Sequence, residues 1–353
     1  MAVCARPAPR GRQTPSNRDS RRWRVAEEET MMSDRVRRAL VTLLIGLSVT
    51  PGALAQQEFP SRQIRFLVPY PPGGANDTVA RILAGRIADN TGQPVIVDNR
   101  PGASGAIAGE ALARADPDGY TVMIDQSSIV MNPALRTMKF DVREDLAPVT
   151  LAANMIHLLA VNAALPAASL SQLVEHARKN PGSLNYSSPG SGSPQHVIME
   201  MVARGGGFEA THVPYKGGAP AMMAVVANEV QMTLITVSTG LGQIRAGKAR
   251  ALAVLGPSRS ASLPDVPTFA GLGYKAVRTN WMGLFAPGKT PPPLLRRLNE
   301  EFLKALKSPD VRAKLEELGF QTIGSSAAEF RTFISSEHQL YSKVIREAGI
   351  KPE

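Results

Sequence analysis

Ile64-Arg65-Phe66-Leu67-Val68-Pro69-Tyr70-Pro71-Pro72-Gly73-Gly74-Ala75-Asn76-Asp77 and the residues that follow it decide the fold. Ile64 to Pro69 is a short apolar run and reads as a buried strand. Tyr70 to Gly74 holds two prolines and two glycines, which no regular element accommodates, so it reads as a loop. Asp77 then opens a pattern with Val79, Ile82, Leu83 and Ile87 on one helical face. The unit is strand, glycine-rich loop, helix.

Working outward, the unit recurs. Pro94 to Val97 predicts a strand, Asn99 to Gly105 a loop, Ile107 to Ala115 an alanine-rich helix, and Tyr120 to Ile124 a third strand. Such alternation argues for a mostly parallel sheet with helices on both faces. Val149 to Val161 holds further strand-like runs, where the chain could pass to a second domain. Beyond it the same unit returns: Leu184 to Ser187 is a strand, Ser188 to Pro194 a loop rich in glycine and serine, and a helix begins near Gln195. Strands are expected at His212 to Tyr215, Val230 to Ile235 and Arg250 to Leu255, with helices at Ala219 to Ala227 and Leu241 to Ala246. Trp281 to Phe285 reads as a strand again, and amphipathic helices follow over Pro291 to Lys307, Pro309 to Leu318 and Ala327 to Ala348. These last helices need a sheet to cover, and the first unit has one. A chain that leaves one domain, builds a second and returns gives two lobes joined by two crossovers, the plan of a hinged clamshell. The boundaries expected are 56–156 with 279–353 for the first lobe and 157–278 for the second.

Composition agrees with a water-exposed globular chain: 353 residues, 43% hydrophobic and 20% charged. Nearly 300 residues outside the N-terminal stretch exceed what one core usually serves. Of the net charge of +10, half lies in residues 1–55, which hold ten Arg against five acidic residues. The remaining excess does not point to nucleic acid. Solubility accounts for it, although a basic surface would also raise the local concentration of anionic solutes.

The N-terminus reads as an export signal. Arg35, Arg37 and Arg38 precede an uncharged apolar run from Ala39 to Val49, and Ala53-Leu54-Ala55 is an A-x-A cleavage pattern. That run is shorter than the roughly 20 residues a membrane span needs. Residues 31–55 are therefore expected to be a signal peptide cut after Ala55, placing the mature protein in the periplasm. Residues 1–30, rich in Arg, Pro and Ser, are expected to be an over-extended N-terminus without a fold, with Met31 or Met32 as the start. The single cysteine, Cys4, lies in that stretch. A mature chain without it has no disulfide, thiolate nucleophile or Cys-ligated metal.

Two loops, one in each lobe, are the candidate site: Pro71 to Asp77 and Ser188 to His196. Each joins a strand to a helix N-terminus, where free N–H groups and the helix dipole favour an anion. Asp77 is placed to cap its helix, to touch a ligand, or to do both. Ser188, Ser191 and Ser193 exceed what a turn requires and suggest a hydroxyl-lined surface. Catalytic readings fare worse. The Gly73-Gly74 loop lacks the spacing of a dinucleotide site or P-loop, and Pro189 breaks the G-x-S-x-G elbow. His196 is near enough in sequence to Ser193 to raise a serine hydrolase as an alternative, but no third partner is evident. The five histidines show no metal spacing.

The chain resembles the Bug-type (TctC-like) receptors of tripartite tricarboxylate transporters. The residues that carry the likeness are Phe59 to Arg65 with Val68 to Asp77, Val97 to Gly105, Asp116 to Thr121, Asn185 to Ser193 with His196, His212 to Gly217, Leu263 to Thr268 and Gly283 to Pro287. The resemblance implies an α/β, two-lobed periplasmic-binding-protein clamshell of the Venus-flytrap type with a ligand cleft between the lobes. It implies a solute-binding protein, not an enzyme, that captures a small organic carboxylate for membrane permease subunits. No cofactor, metal or nucleic acid is expected, and a monomer is. Carried over, the ligand-binding residues are Pro72, Gly73, Gly74 and Asp77 in the first lobe and Ser188, Ser191, Gly192 and Ser193 in the second. Ser127 and Ser128 match a cleft-lining stretch, and Thr236 and Ser238 lie where the far end of the ligand is read. Asp125-Gln126-Ser127-Ser128 departs from the Gly/Thr-rich stretch often found there. The small hydroxyls at Thr236 to Thr239 offer no cation for a second carboxylate, which favours a monocarboxylate or polar-tailed acid over citrate. A sensor docking on a signalling protein would use the same clamshell.

Overall fold

The computed structural model describes residues 59–351. The expected signal peptide, its cleavage point and the over-extended stretch lie outside the described residues.

The chain builds two sheets in one pass out and back. The first half opens with strand β1 (Ile64–Val68), helix α1 (Ala75–Thr91), β2 (Val95–Asn99), α2 (Ala106–Ala113), β3 (Thr121–Gln126), α3 (Ser128–Leu135) and β4 (Leu146–Met155). The second sheet follows with β5 (His157–Asn162), α4 (Leu170–Lys179), β6 (Asn185–Ser188), α5 (Pro194–Gly206), β7 (Thr211–Pro214), α6 (Gly218–Val226), β8 (Met232–Thr236), α7 (Val237–Arg245) and β9 (Ala249–Leu255). The chain then returns with β10 (Asn280–Pro287), α8 (Pro292–Lys307), α9 (Pro309–Glu317), β11 (Phe320–Thr322) and α10 (Ala327–Glu347).

The six-stranded sheet runs β11-β4-β10-β3-β1-β2 and the five-stranded sheet β7-β6-β8-β5-β9. Neither is mostly parallel, which corrects the expectation from strand–helix alternation. In the first sheet β1 pairs parallel with β2 and β3, but β10 is antiparallel to both β3 and β4, and β11 to β4. In the second, β5 is antiparallel to β8 and β9. The reason is topological: β4 exits toward the other sheet and β10 comes back from it, so the two strands that carry the crossovers lie head to tail. Ile156 alone separates β4 from β5, whereas residues 256–279 make the return.

Alternation along the strands shows both faces covered. Phe66 and Val68 join a core under α1, α8 and α9 with Leu83, Phe302 and Leu315. Leu67 points the other way, into a core with Trp281, Phe285, Phe330 and Tyr341 beneath α2, α3 and α10. Gly283 on β10 has to be glycine, because a Cβ there would occupy the ring of Phe330. The second sheet repeats the scheme, with Leu159, Tyr186 and Leu234 on one face and Leu158, Ala160 and Ile235 on the other.

The two halves also share an apolar seam. Val197 and Met201 of α5, which grows from the second sheet, are buried in the same cluster as Met131, Leu135 and Ile345 of the first. An ion pair between Arg204 and Glu347 at 2.6 Å closes its rim.

Candidate functional site

The cleft lies between the ends of strands from the two sheets and encloses about 790 Å³. Its first-sheet wall is the loop after β1, with Tyr70, Pro72, Gly73 and Gly74, and the end of β3 with Gln126 and Ser128. Its second-sheet wall is Ser193 to Gln195, Gly217 to Ala219, and Thr236 with Ser238 and Thr239. Leu318 and Gly319, between α9 and β11, and Phe320, the first residue of β11, form part of the lining near the crossover.

Local chemistry explains these loops. Gly73 sits at φ +82°, a conformation glycine adopts without strain, and turns the chain so that Gly74 becomes the N-cap of α1. Asp77 fixes that turn from beneath. Its Oδ2 accepts from the Gly73 N–H at 2.9 Å and from Arg81 Nε at 2.9 Å, while Oδ1 accepts from Asn99 Nδ2 at 2.9 Å. The Arg81 guanidinium, with the Gly73 and Asn99 donors, outweighs burial and lowers its carboxyl to about 2. In the second wall Ser193 accepts from the His196 N–H and caps α5, and Gly192 takes φ +71° against Leu135 of the first half.

The structure thus brings Pro72, Gly73, Gly74, Ser128, Ser193, Thr236 and Ser238 together around one cleft. It places the other expected residues behind that surface or beside it. Asp77 is buried in the first turn of α1, bonded back to the loop that precedes it. Ser127 is fully buried, and its Oγ donates to Asn280 Oδ1 at 2.6 Å, tying the end of β3 to the start of β10. Ser188 is fully buried, its Oγ 2.7 Å from His212 Nε2 and within hydrogen-bonding distance of the Gly190 backbone. Gly192 donates its N–H to His196 Nδ1 at 3.1 Å, and neither it nor Ser191 is among the lining residues. The stacked rings of His196 and His212, with centroids 3.6 Å apart, fill the space under the serine loop. Burial, with His212 beside it, lowers His196 to about 3, so both the ring's acceptor role and the loop depend on its being neutral.

Sequence reasoning missed several lining groups. Tyr70, Gln126 and Gln195 each adjoin a residue it named, so their neighbours were the available signal. Asn76, at the first turn of α1, lines the cleft and is 3% exposed, with a buried Oδ1 that has no hydrogen-bond partner. Gly217 closes the His212 to Gly217 motif, which was quoted without a site role, and Gly218 and Ala219 follow it. Leu318 to Phe320 carried no signal, because only the return of the chain brings them there.

Taken together, the cleft has no Lys, Arg, His, Asp or Glu among its lining residues. Instead it collects the first turns of five helices: α1 and α3 from the first half, α5, α6 and α7 from the second. Early backbone N–H groups of a helix have no partner inside it, and their alignment with the macrodipole makes each end electropositive. The arrangement is suited to an anion held by neutral donors from two sides.

A two-sheet clamshell with an interior cleft of this kind defines a solute-binding protein, and the comparisons agree. Residues 79–350 match the family described as tripartite tricarboxylate transporter family receptor, TctC. The chain belongs to that family. It is 37% identical over 310 residues to the UPF0065 protein in the tcbD-tcbE intergenic region of Pseudomonas sp. strain P51, covering 86% of this chain and 92% of that one. It is 33% identical over 317 residues to protein BugT of Bordetella pertussis, covering 89% and 97%. Among solved structures it is similar to R. palustris Rpa4515 with adipate, at 33% identity and TM-score 0.73, covering 84% of this chain and 100% of that one. It is also similar to MatC from Rhodopseudomonas palustris with bound malate, at 29% identity and TM-score 0.69, covering 81% and 100%.

Proposed function

We propose that this protein captures a small organic carboxylate in the cleft and presents the closed form to the membrane subunits of a tripartite transporter. The observation that carries the reading is the convergence of five helix N-termini on a cleft without a charged lining residue. A carboxylate there accepts backbone N–H groups from both halves at once, which it can do only when they are together. That difference in affinity is what shifts the population toward closure. Adipate and malate in the two relatives support a carboxylate as the ligand class.

The lobes we assign are 56–156 with 279–353, and 157–278, supported by the strands of one sheet coming from 64–155 and 280–322 and those of the other from 157–255. The ligand contacts we assign are those of the expected residues that line the cleft, together with Asn76, Gln126 and Gln195. Asp77, Ser127 and Ser188 act as braces that hold these loops. A receptor of this family works outside the cytoplasm, so we place the protein in the periplasm as a monomeric, non-catalytic component. The Ser193 hydroxyl supports the last point: it caps α5, while the His196 ring faces Gly192 and His212. The first turns of α6 and α7 give a second carboxylate a place without a cation, so dicarboxylates join monocarboxylates in the candidate class.

A thermal-shift screen of mono-, di- and tricarboxylates against their amides tests the reading. Stabilisation by one or more acids and by none of the amides is expected. Equal response to acid and amide, or to neither, would refute it.

A further inference from the structure

Behind the first-sheet wall of the cleft lies a carboxyl group that the site described so far leaves without a role. Asp125 is fully buried near the end of β3. Its Oδ1 accepts from the Gln126 backbone N–H at 2.7 Å, from the Tyr70 hydroxyl at 3.2 Å and from Ser128 Oγ at 3.4 Å. Its Oδ2 is buried with no hydrogen-bond partner. The three residues in contact with it are all cleft-lining and are bonded to one another: Ser128 Oγ lies 2.7 Å from the Tyr70 hydroxyl, and Gln126 Nε2 donates to that hydroxyl at 2.9 Å.

No counter-charge compensates it. Across the sheet, β10 faces Asp125 with Gly283. The approach to α2 faces it with Gly105, where any Cβ would collide with Oδ2. Helix α3 offers Ser128, and the loop after β1 offers Tyr70. Tyr70 is the one titratable group in this set, and burial, followed by the nearby Asp125, raises its hydroxyl well above the ordinary value, so it stays protonated. No cationic side chain pairs with Asp125 among the described residues. Burial raises its carboxyl to about 7.

We propose that Asp125 sets the charge this cleft accepts: an anionic ligand is bound together with one proton, which the Asp125 carboxyl takes up. The proposal rests on the carboxylate reading above and makes Asp125 a specificity-determining group that acts through Tyr70, Gln126 and Ser128. When ionised, Asp125 draws the Tyr70 and Ser128 protons inward, so those oxygens turn lone pairs toward the cleft. It also leaves a negative charge one side chain behind the ligand, in surroundings that screen poorly. Both effects oppose a carboxylate. Protonation removes the charge, weakens the inward pull and frees the two hydroxyls to donate to the ligand. The sign follows: bringing in an anion favours the neutral acid, so affinity is high below the Asp125 titration and falls above it.

Titration calorimetry with adipate as the probe tests this, from pH 6.5 to 9, in buffers of low and high ionisation enthalpy. For the unmodified protein, affinity is expected to fall roughly tenfold per pH unit above neutrality, with net uptake approaching one proton. Asp125→Asn should bind with little pH dependence, and at pH 8.5 about tenfold or more tighter than the unmodified protein. Adipate binding with flat affinity and no buffer-dependent heat in the unmodified protein would overturn the proposal while leaving the carboxylate reading intact. That measurement decides even if Asp125→Asn does not fold. Failure of adipate, malate and a panel of monocarboxylates to bind at any pH would overturn both.

Discussion

Asp77→Asn separates a brace from a ligand contact. The carboxyl holds the Gly73 N–H, Arg81 and Asn99 and lies beneath the cleft surface. Its downward displacement from 3.8 to about 2 measures how much the fold prefers the charged form over the neutral one. At 1.36 kcal/mol per unit, that preference is about 2.4 kcal/mol. An Asn side chain approximates the neutral form, so the variant should lose about 2–3 kcal/mol at pH 7, or roughly 5–10 °C in melting temperature for a domain of this size. The pH dependence has a definite sign. A depressed carboxyl contributes its full stability above the unfolded value of 3.8, and that contribution is lost as pH falls through about 2. Scanning calorimetry at pH 7, 4 and 2 should therefore show a gap between the two proteins that closes at the acid end. Adipate affinity should drop severalfold, through a loosened loop, without being abolished. A variant that melts within about 1 °C of the parent at pH 7, or a gap that persists at pH 2, would refute the assignment.

Gly73→Ala places a side chain at φ +82° with open space around it. It should cost about 1–2 kcal/mol of backbone strain and weaken ligand binding, read from paired melts and titrations. His157 and His196, lowered to about 4 and about 3 mainly by burial, must stay neutral in the fold. Each should remove about 1.5 kcal/mol between pH 6.5 and 5, and His157→Leu should flatten its share of that acid limb in a pH series of melts. At the seam between the halves, Met201→Ala should cost about 2–5 kcal/mol by opening a cavity. Arg204→Ala, which removes an exposed ion pair, should cost under about 1 kcal/mol. Chemical denaturation of both distinguishes apolar from ionic joining.

Local sequence chemistry determined the strand–loop–helix units, because glycine and proline placement and the spacing of apolar residues report backbone conformation within a few residues. Pro71 to Gly74 and Ser188 to Pro194 were legible as corners, and the helices after them as amphipathic. Helix α3 was not: Ile129, Val130 and Met131 form a continuous apolar run, and Pro133 falls inside the helix. The start of α7 was not legible either: the helix expected from Leu241 begins at Val237, because packing on the second sheet overrides the weak helical preference of Thr236 to Thr239. Tertiary structure alone decided which polar groups face the cleft and which brace it. Asp77, Ser127 and Ser188 look like ligand contacts along the chain, yet Asn99, Asn280 and His212, each between 22 and 153 residues away, occupy them. Asp125 reads as an ordinary carboxylate until β10 presents Gly283 to it and Gly105 closes over its free oxygen. Composition and spacing specify conformation, which is local. The environment of a charge is set by the solvent and side chains that folding removes from it or brings to it, and no stretch of sequence contains that.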